Sequence, residues 1–290
     1  MAEGREEGKR EEGKREKGPG TGEGAFDRWM AALEARHLAE LRFPEVARAL
    51  RALSSTYVER RGRLAEGAAL DGAGKRAAFA LFYGPLHYLI VQHIAQSLLE
   101  PGLAGARPIS SERRRTIVDL GCGTGAAGAA CATACEAVEL VVGIDTHPWA
   151  LTEAAATYRQ FGLKNRTEKG DLASTRQLDA PRARSRSGPS LFVAAFALNE
   201  LPEASRDAAI RRMRVRAQAG DAVLIVEPLA GFVAPWWPRW QREIEEAGGR
   251  SDEWRCRADL PDIVAKLDRA AGLDHRELTA RSMYIPVIEN

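Results

Sequence analysis

Three glycines spaced two apart follow an apolar run that carries a single acid: Ile117-Val118-Asp119-Leu120-Gly121-Cys122-Gly123-Thr124-Gly125. Residues without a Cβ let the backbone approach a ligand, and a helix opening there offers it unpaired N–H groups. An alanine-rich stretch of helical character begins at Ala126, and a second acid, Asp145, closes the next apolar run twenty residues beyond Gly125. In a doubly wound sheet, ligands sit at the carboxyl ends of the strands, and an acid ending the second strand can accept both hydroxyls of a ribose. The spacing therefore points to a nucleoside-bearing ligand. A plain tight turn is the bland alternative.

Nucleophiles and metal ligands are poorly placed for other chemistry. Covalent addition to a pyrimidine ring needs a cysteine thiolate beyond the fourth or fifth strand, and Cys256 is far in sequence from both strand ends. Cys131 and Cys135 share one helix face but complete no four-ligand metal set, so both read as small core residues and no metal is expected. His37, His87, His93, His147 and His275 are scattered. His147, just after Asp145, reads either as a neighbour of a bound nucleoside or as an ordinary loop histidine.

The glycine loop resembles motif I of the class I S-adenosylmethionine-dependent methyltransferases, and Gly143-Ile144-Asp145 resembles the acidic motif that follows it. A Rossmann dehydrogenase also places ribose on such an acid, but its third glycine falls one residue later. The resemblance runs from about residue 116 to the C-terminus and implies S-adenosyl-L-methionine as cofactor. It implies that Asp119 orients the methionine amino group, that Gly121, Gly123 and Gly125 face the methionine and ribose, and that Asp145 holds the ribose. Asp171 in Gly170-Asp171-Leu172 matches the position of an acid that bonds the adenine amine, with a helix cap as the alternative. Leu198-Asn199-Glu200-Leu201-Pro202 falls where the family meets its acceptor, without the Asn/Asp-Pro-Pro-aromatic tetrad of the amine methylators. Asn199 and Glu200 are the candidate catalytic pair; the alternative is the start of a helix. Methyl transfer would then be a direct displacement resting on alignment and exclusion of water.

A narrower likeness spans more of the chain. Leu53-Ser54-Ser55-Thr56-Tyr57-Val58-Glu59-Arg60-Arg61, an apolar helix with Tyr83-Gly84-Pro85, Asn199-Glu200-Leu201-Pro202 and Val226-Glu227-Pro228 together resemble the Rsm-type family. These are methyltransferase-like proteins of the mitochondrial small ribosomal subunit and their bacterial relatives. The likeness implies RNA or a small ribosomal subunit as partner. The cysteine-rich C-terminal segment that many members carry, associated with an iron–sulfur cluster, is absent.

Positioning these residues requires an α/β fold: a doubly wound, mostly parallel Rossmann-like sheet with an N-terminal all-helical unit. Short apolar runs at 116–120, 140–144, 191–197 and 222–226 alternate with helical stretches at 126–136, 148–161, 203–219 and 236–247, the pattern of βα units. A weaker strand is expected near 166–169, then a helix at 260–271 and two alternating segments, 275–278 and 282–288, as an antiparallel edge. Ahead of the sheet, apolar spacings of three and four predict helices, with Pro44 in a first turn and a division into two helices at Gly84-Pro85. The expected organisation is a disordered charged tail at 1–24, a helical domain at 25–108 and a cofactor-binding methyltransferase domain at 109–290.

The 290 residues hold 42 basic and 40 acidic side chains, so nucleic-acid affinity must come from local patches. Three arginine clusters are candidates: Arg113-Arg114-Arg115, Arg182-x-Arg184-x-Arg186 and Arg211-Arg212-x-Arg214-x-Arg216. They suit phosphate contacts or a solvated face. Trp236, Trp237 and Trp240 read as a base-stacking wall or as the buried side of an amphipathic helix. Residues 77–99 are long enough to span a bilayer but are interrupted by histidines, glutamines and Gly84-Pro85, so no membrane partner is expected. Four cysteines without a disulfide spacing and no visible targeting signal make the cytoplasm the default. Three functions stay open: a methyltransferase acting on RNA, one acting on a small-molecule acceptor beneath a helical lid, and a cofactor-binding assembly factor without turnover.

Overall fold

The computed structural model describes residues 23–59, 70–99, 115–179, 188–229 and 234–287. The charged tail through residue 22, Arg113, Arg114 and the 182–186 arginines lie outside the described residues.

Seven strands form one sheet in the order β3-β2-β1-β4-β5-β7-β6. They are β1 (Arg115–Leu120), β2 (Val138–Asp145), β3 (Asn165–Lys169), β4 (Leu191–Ala195), β5 (Ala222–Glu227), β6 (Arg250–Cys256) and β7 (Leu278–Ile285). The first five are parallel, and β7 runs antiparallel between β5 and β6. The runs of β1, β2, β4 and β5 are mostly apolar because both faces are covered, whereas edge strand β3 has no apolar residue. Alternation along β1 sends Ile117 to one core and Val118 to the other. Strand order reverses between β1 and β4, and Leu120, Asp145, Ala195 and Glu227 all end at the same carboxyl edge. That reversal opens a crevice, the usual ligand position in such sheets.

On one face lie α7 (Glu203–Gln218), which buries Ile210 and Met213 beside β5, and α8 (Trp237–Glu246), which buries Trp237 and Trp240 beside β6 and β7. Truncating either tryptophan would cost about 3–5 kcal/mol. The other face carries a thicker layer: α5 (Ala126–Ala134), α6 (Pro148–Gln160), α9 (Asp262–Ala271) and the N-terminal helices. These helices are α1 (Glu23–His37), α2 (Phe43–Glu59), α3 (Ala73–Ala78) and α4 (Gly84–Leu99), and they share one continuous core with the sheet. Specific polar links fix them. Trp29 donates its indole N–H to Thr157 Oγ1 at 3.0 Å, and buried Glu153 receives Arg36 at 2.5 Å and contacts His37 at 3.1 Å. On α4, Tyr88 shares a hydrogen bond with Thr133 of α5 at 3.3 Å.

Three sequence expectations are corrected. The 77–99 segment does not divide at Gly84-Pro85: a π-helical turn, Phe79–Tyr83, carries α3 straight into α4. Pro44 does sit in the first turn of α2. The antiparallel edge consists of β6 and β7 rather than of 275–278 and 282–288. Five of the seven β6 residues are charged or hydroxylic, so the strand shows no apolar run. Helix α1 begins at Glu23, inside the stretch expected as tail through residue 24. No helix among the described residues is long and apolar enough to cross a membrane.

Candidate active site

The chain leaves β1 through Gly121, Gly123 and Gly125, which take φ values of +69°, +49° and +78°. Space as well as conformation fixes two of them. A Cβ on Gly121 would stand 2.6 Å from that of Ala197 at the β4 edge, and one on Gly125 would stand 2.9 Å from the Ala154 Cα of α6. The loop is tied back by Gly121 and Cys122, whose N–H groups both donate to Ile144 O at 2.9 Å.

Asp145 grips this loop, and Asp119 grips the helices behind it. Asp119 is 1% exposed, and its Oδ2 accepts the Gly128 N–H of α5 and the Tyr158 hydroxyl of α6, each at 2.8 Å. Burial pushes its pKa up to about 7 against the pull of those two hydrogen bonds, and Asp145 adds to the rise. Half-buried Asp145 accepts the Gly123 N–H at 3.0 Å and the His147 N–H at 2.8 Å, one on each oxygen. Each oxygen keeps a lone pair. Asp171 is exposed, and its Oδ1 accepts the Ala173 N–H at 2.6 Å. The neighbouring Gly170 N–H reaches Asp145 O at 3.1 Å, so the β3 end adjoins the β2 end. His147 Nδ1 accepts the Trp149 N–H and caps α6.

At the β4 edge a hydrogen-bonded chain joins three residues. Glu227, ending β5 at 0% exposure, accepts the Leu198 N–H at 2.9 Å and the Asn199 N–H at 3.3 Å on Oε1. Its Oε2 accepts the Asn199 side-chain amide at 2.6 Å, and Asn199 Oδ1 accepts the Trp236 indole N–H at 2.9 Å. Trp236 thereby dictates which way the Asn199 amide points. Burial pushes the Glu227 pKa up to about 8, opposed first by the two backbone hydrogen bonds. Glu200 lies beside Asn199 in a 3₁₀ turn, half-buried. Arg206 sits over the Trp236 ring at 5.1 Å, whereas Trp237 and Trp240 are core residues.

A stripe from the N-terminal layer closes over this edge. Phe79, Tyr83 and His87 touch one another, with ring centroids 5.9 Å and 6.1 Å apart in sequence order. The Phe79 ring lies 3.5 Å from where a Gly123 Cβ would be, and the His87 ring stacks on Phe196 at 4.1 Å and 15°. Phe196, just past β4, holds φ at +57°, a left-handed conformation that costs a bulky residue energy and recurs at functional sites.

The sequence did not single out Tyr158, Phe196 or His87 for this place, and Glu227 appeared only within its Val-Glu-Pro run. The third arginine cluster is spent internally. Arg212 binds Asp179 and the carbonyls of Ala173 and Thr175, Arg214 pairs with Glu243, Arg216 pairs with buried Asp221, and Arg211 lies over Trp240. All four cysteines are free thiols, and burial raises the pKa of Cys131 and Cys135. Among the described residues no cluster of His, Cys, Asp and Glu could hold a metal.

The glycine ridge and the two spare lone pairs of Asp145 fit a nucleoside with vicinal hydroxyls. Residues 117–220 match a family described as a methyltransferase domain. No protein of curated function matches the chain. Among solved structures, the mitomycin 7-O-methyltransferase MmcR is 14% identical over 89% of this chain and 72% of that one, with a TM-score of 0.46. The precorrin 8w decarboxylase MT0146 of Methanobacterium thermoautotrophicum is 17% identical over 69% and 90%, at 0.42. The small RNA methyltransferase HEN1 is 10% identical over 71% and 26%, at 0.42. Likenesses of this strength carry no argument about the acceptor. The matched stretch contains the glycine loop, both acids and the β4 edge, and the match implies S-adenosylmethionine as methyl donor.

Proposed function

We propose that the protein transfers the methyl group of S-adenosylmethionine to a base of RNA, with small-subunit ribosomal RNA or its particle as partner. The donor supplies an activated methyl on a sulfonium. In this reading Asp145 accepts the ribose hydroxyls with its two spare lone pairs, Gly121, Gly123 and Gly125 let the donor lie against the backbone, and Asp171 meets the adenine amine. Asp119 acts from beneath: with Oδ2 spent on Gly128 and Tyr158, it holds the first turn of α5 so that the helix N-terminus faces the donor.

One observation carries the acceptor side, the Glu227–Asn199–Trp236 chain at the end of β4 and β5. Asn199 keeps one amide N–H and one oxygen lone pair beyond these bonds, enough to hold a planar ring bearing an amine. Glu200 stands next to it. Trp236 beside Asn199 suits a flat heterocycle. The Rsm-type likeness favours RNA as its source.

A small-molecule acceptor is the second reading, favoured by the internal pairing of Arg212, Arg214 and Arg216, which removes one candidate phosphate track. The purified chain incubated with methyl-labelled donor and fractionated extract separates the two. Label in RNA supports the first reading, label only in metabolites supports the second, and label in neither leaves an assembly factor without turnover.

A further inference from the structure

We infer that His87 is a catalytic residue of this site, its open imidazole nitrogen receiving the proton of an amine on an aromatic acceptor. The inference rests on the methyl-transfer reading above and names the acceptor group within it. Phe79, Tyr83 and His87 recur at intervals of four along one helical run, and the π-helical turn rotates that run so that its stripe spans the glycine loop and the β4 edge. π-Turns inside helices concentrate at functional sites. Of the three, Phe79 has no polar atom, and the Tyr83 hydroxyl bonds Ser54. His87 has only ring contacts, to Phe79, Tyr83 and Phe196, and no hydrogen-bond partner among the described residues. A half-buried imidazole without a partner, stacked on a residue in left-handed backbone, is an unpaired polar group at the edge where the acceptor arrives.

The chemistry narrows the acceptor. Burial pushes the His87 pKa down to about 3, so the ring is neutral near neutral pH and is a weak base. A weak base cannot remove the proton of an ordinary hydroxyl before transfer. It can take one afterwards. The amine lone pair attacks the methyl carbon, the sulfur–methyl bond breaks with its electron pair passing to sulfur, and the sulfonium becomes a thioether. The nitrogen, now cationic and strongly acidic because it is attached to an aromatic ring, gives its proton to His87. The imidazolium then releases it to water, which restores the starting state.

His87→Phe keeps the stack on Phe196 and deletes the nitrogen. With labelled donor and the extract fraction that accepts label from the parent, its single-turnover rate should fall by about 100-fold or more. Affinity for S-adenosylhomocysteine should stay within about twofold of the parent, because the His87 ring contacts Phe79, Tyr83 and Phe196 and neither acid of the glycine motif. A rate within about threefold of the parent overturns the inference. If the parent labels no fraction, the methyl-transfer reading itself fails and takes this role with it, whereas an active parent with an active His87→Phe sinks the His87 role alone. A measurement on the unaltered full chain guards against a misfolded variant: ¹⁵N resonances of labelled histidine should show His87 neutral at pH 6, with one ring nitrogen unprotonated and unbonded. A protonated ring at that pH, or two bonded nitrogens, overturns it.

Discussion

Removing a charge from the centre of the site should stabilise the protein in mild alkali. Asp119 and Glu227 are 1% and 0% exposed, with pKa values raised from 3.8 to about 7 and from 4.5 to about 8. Between the unfolded and folded values the native state holds a proton that the unfolded chain has released. Unfolding therefore releases protons in that window, and stability falls as pH rises through it. Each pKa unit corresponds to about 1.4 kcal/mol. From pH 5.5 to 8.5 the Asp119 carboxyl should cost roughly 2 kcal/mol of stability and that of Glu227 roughly 3. Urea unfolding at the two pH values reads this directly. The parent should have the lower midpoint at pH 8.5. Asp119→Asn, whose amide oxygen still accepts from Gly128 and Tyr158, should shrink the difference and be more stable than the parent at pH 8.5. A parent midpoint that is level or higher at pH 8.5, or an Asp119→Asn variant that is equally pH-sensitive, would refute the reasoning.

Other outcomes follow from the same geometry. Asp145→Asn should weaken S-adenosylhomocysteine by about tenfold in calorimetry, since a charge-assisted bond is worth roughly 1.5–3 kcal/mol; unchanged affinity would remove the ribose assignment. Gly125→Ala should both destabilise the domain and abolish cofactor binding, because the new Cβ would stand 2.9 Å from the Ala154 Cα in a left-handed backbone conformation; a variant with parental midpoint and affinity would contradict this. Replacing Arg182, Arg184 and Arg186 by Gln should shallow the salt dependence of RNA binding by up to about two logarithmic units. The equivalent change at Arg212, Arg214 and Arg216 should instead lower the unfolding midpoint without altering that slope, because those guanidiniums are already paired.

The parallel core was legible because strands buried on both faces must be nearly all apolar, as 117–120, 141–144 and 222–226 are. The glycine loop was equally plain, and Gly121 and Gly125 face neighbours that leave no room for a side chain. Edge strand β6 escaped notice because Arg250, Ser251, Asp252 and Glu253 gain order from pairing with β7 rather than from burial. Gly84-Pro85 read as a break because proline in a helix interior removes a hydrogen bond, yet a π-turn ending at Tyr83 lets the chain continue. The hydrogen-bonded chain at the proposed acceptor edge was half visible. Asn199 and Glu200 were singled out from their position after β4, but Glu227 and Trp236, which bond Asn199, lie 28 and 37 residues away from it. Such a link is set by strand order. The placement of His87 over Phe196 likewise depends on how the N-terminal helices dock, which local periodicity does not specify.

The central claim is methyl transfer to an amine of an RNA base at the β4 edge. Nucleoside mass spectrometry tests it most directly, after the full chain has acted with deuterated donor on small-subunit ribosomal RNA and its precursor particles. The account predicts a single deuteromethylated amino-nucleoside, lost with Asn199→Ala while S-adenosylhomocysteine affinity persists. It is contradicted if no nucleoside carries the deuterated methyl, or if Asn199→Ala produces the same product at the parental rate.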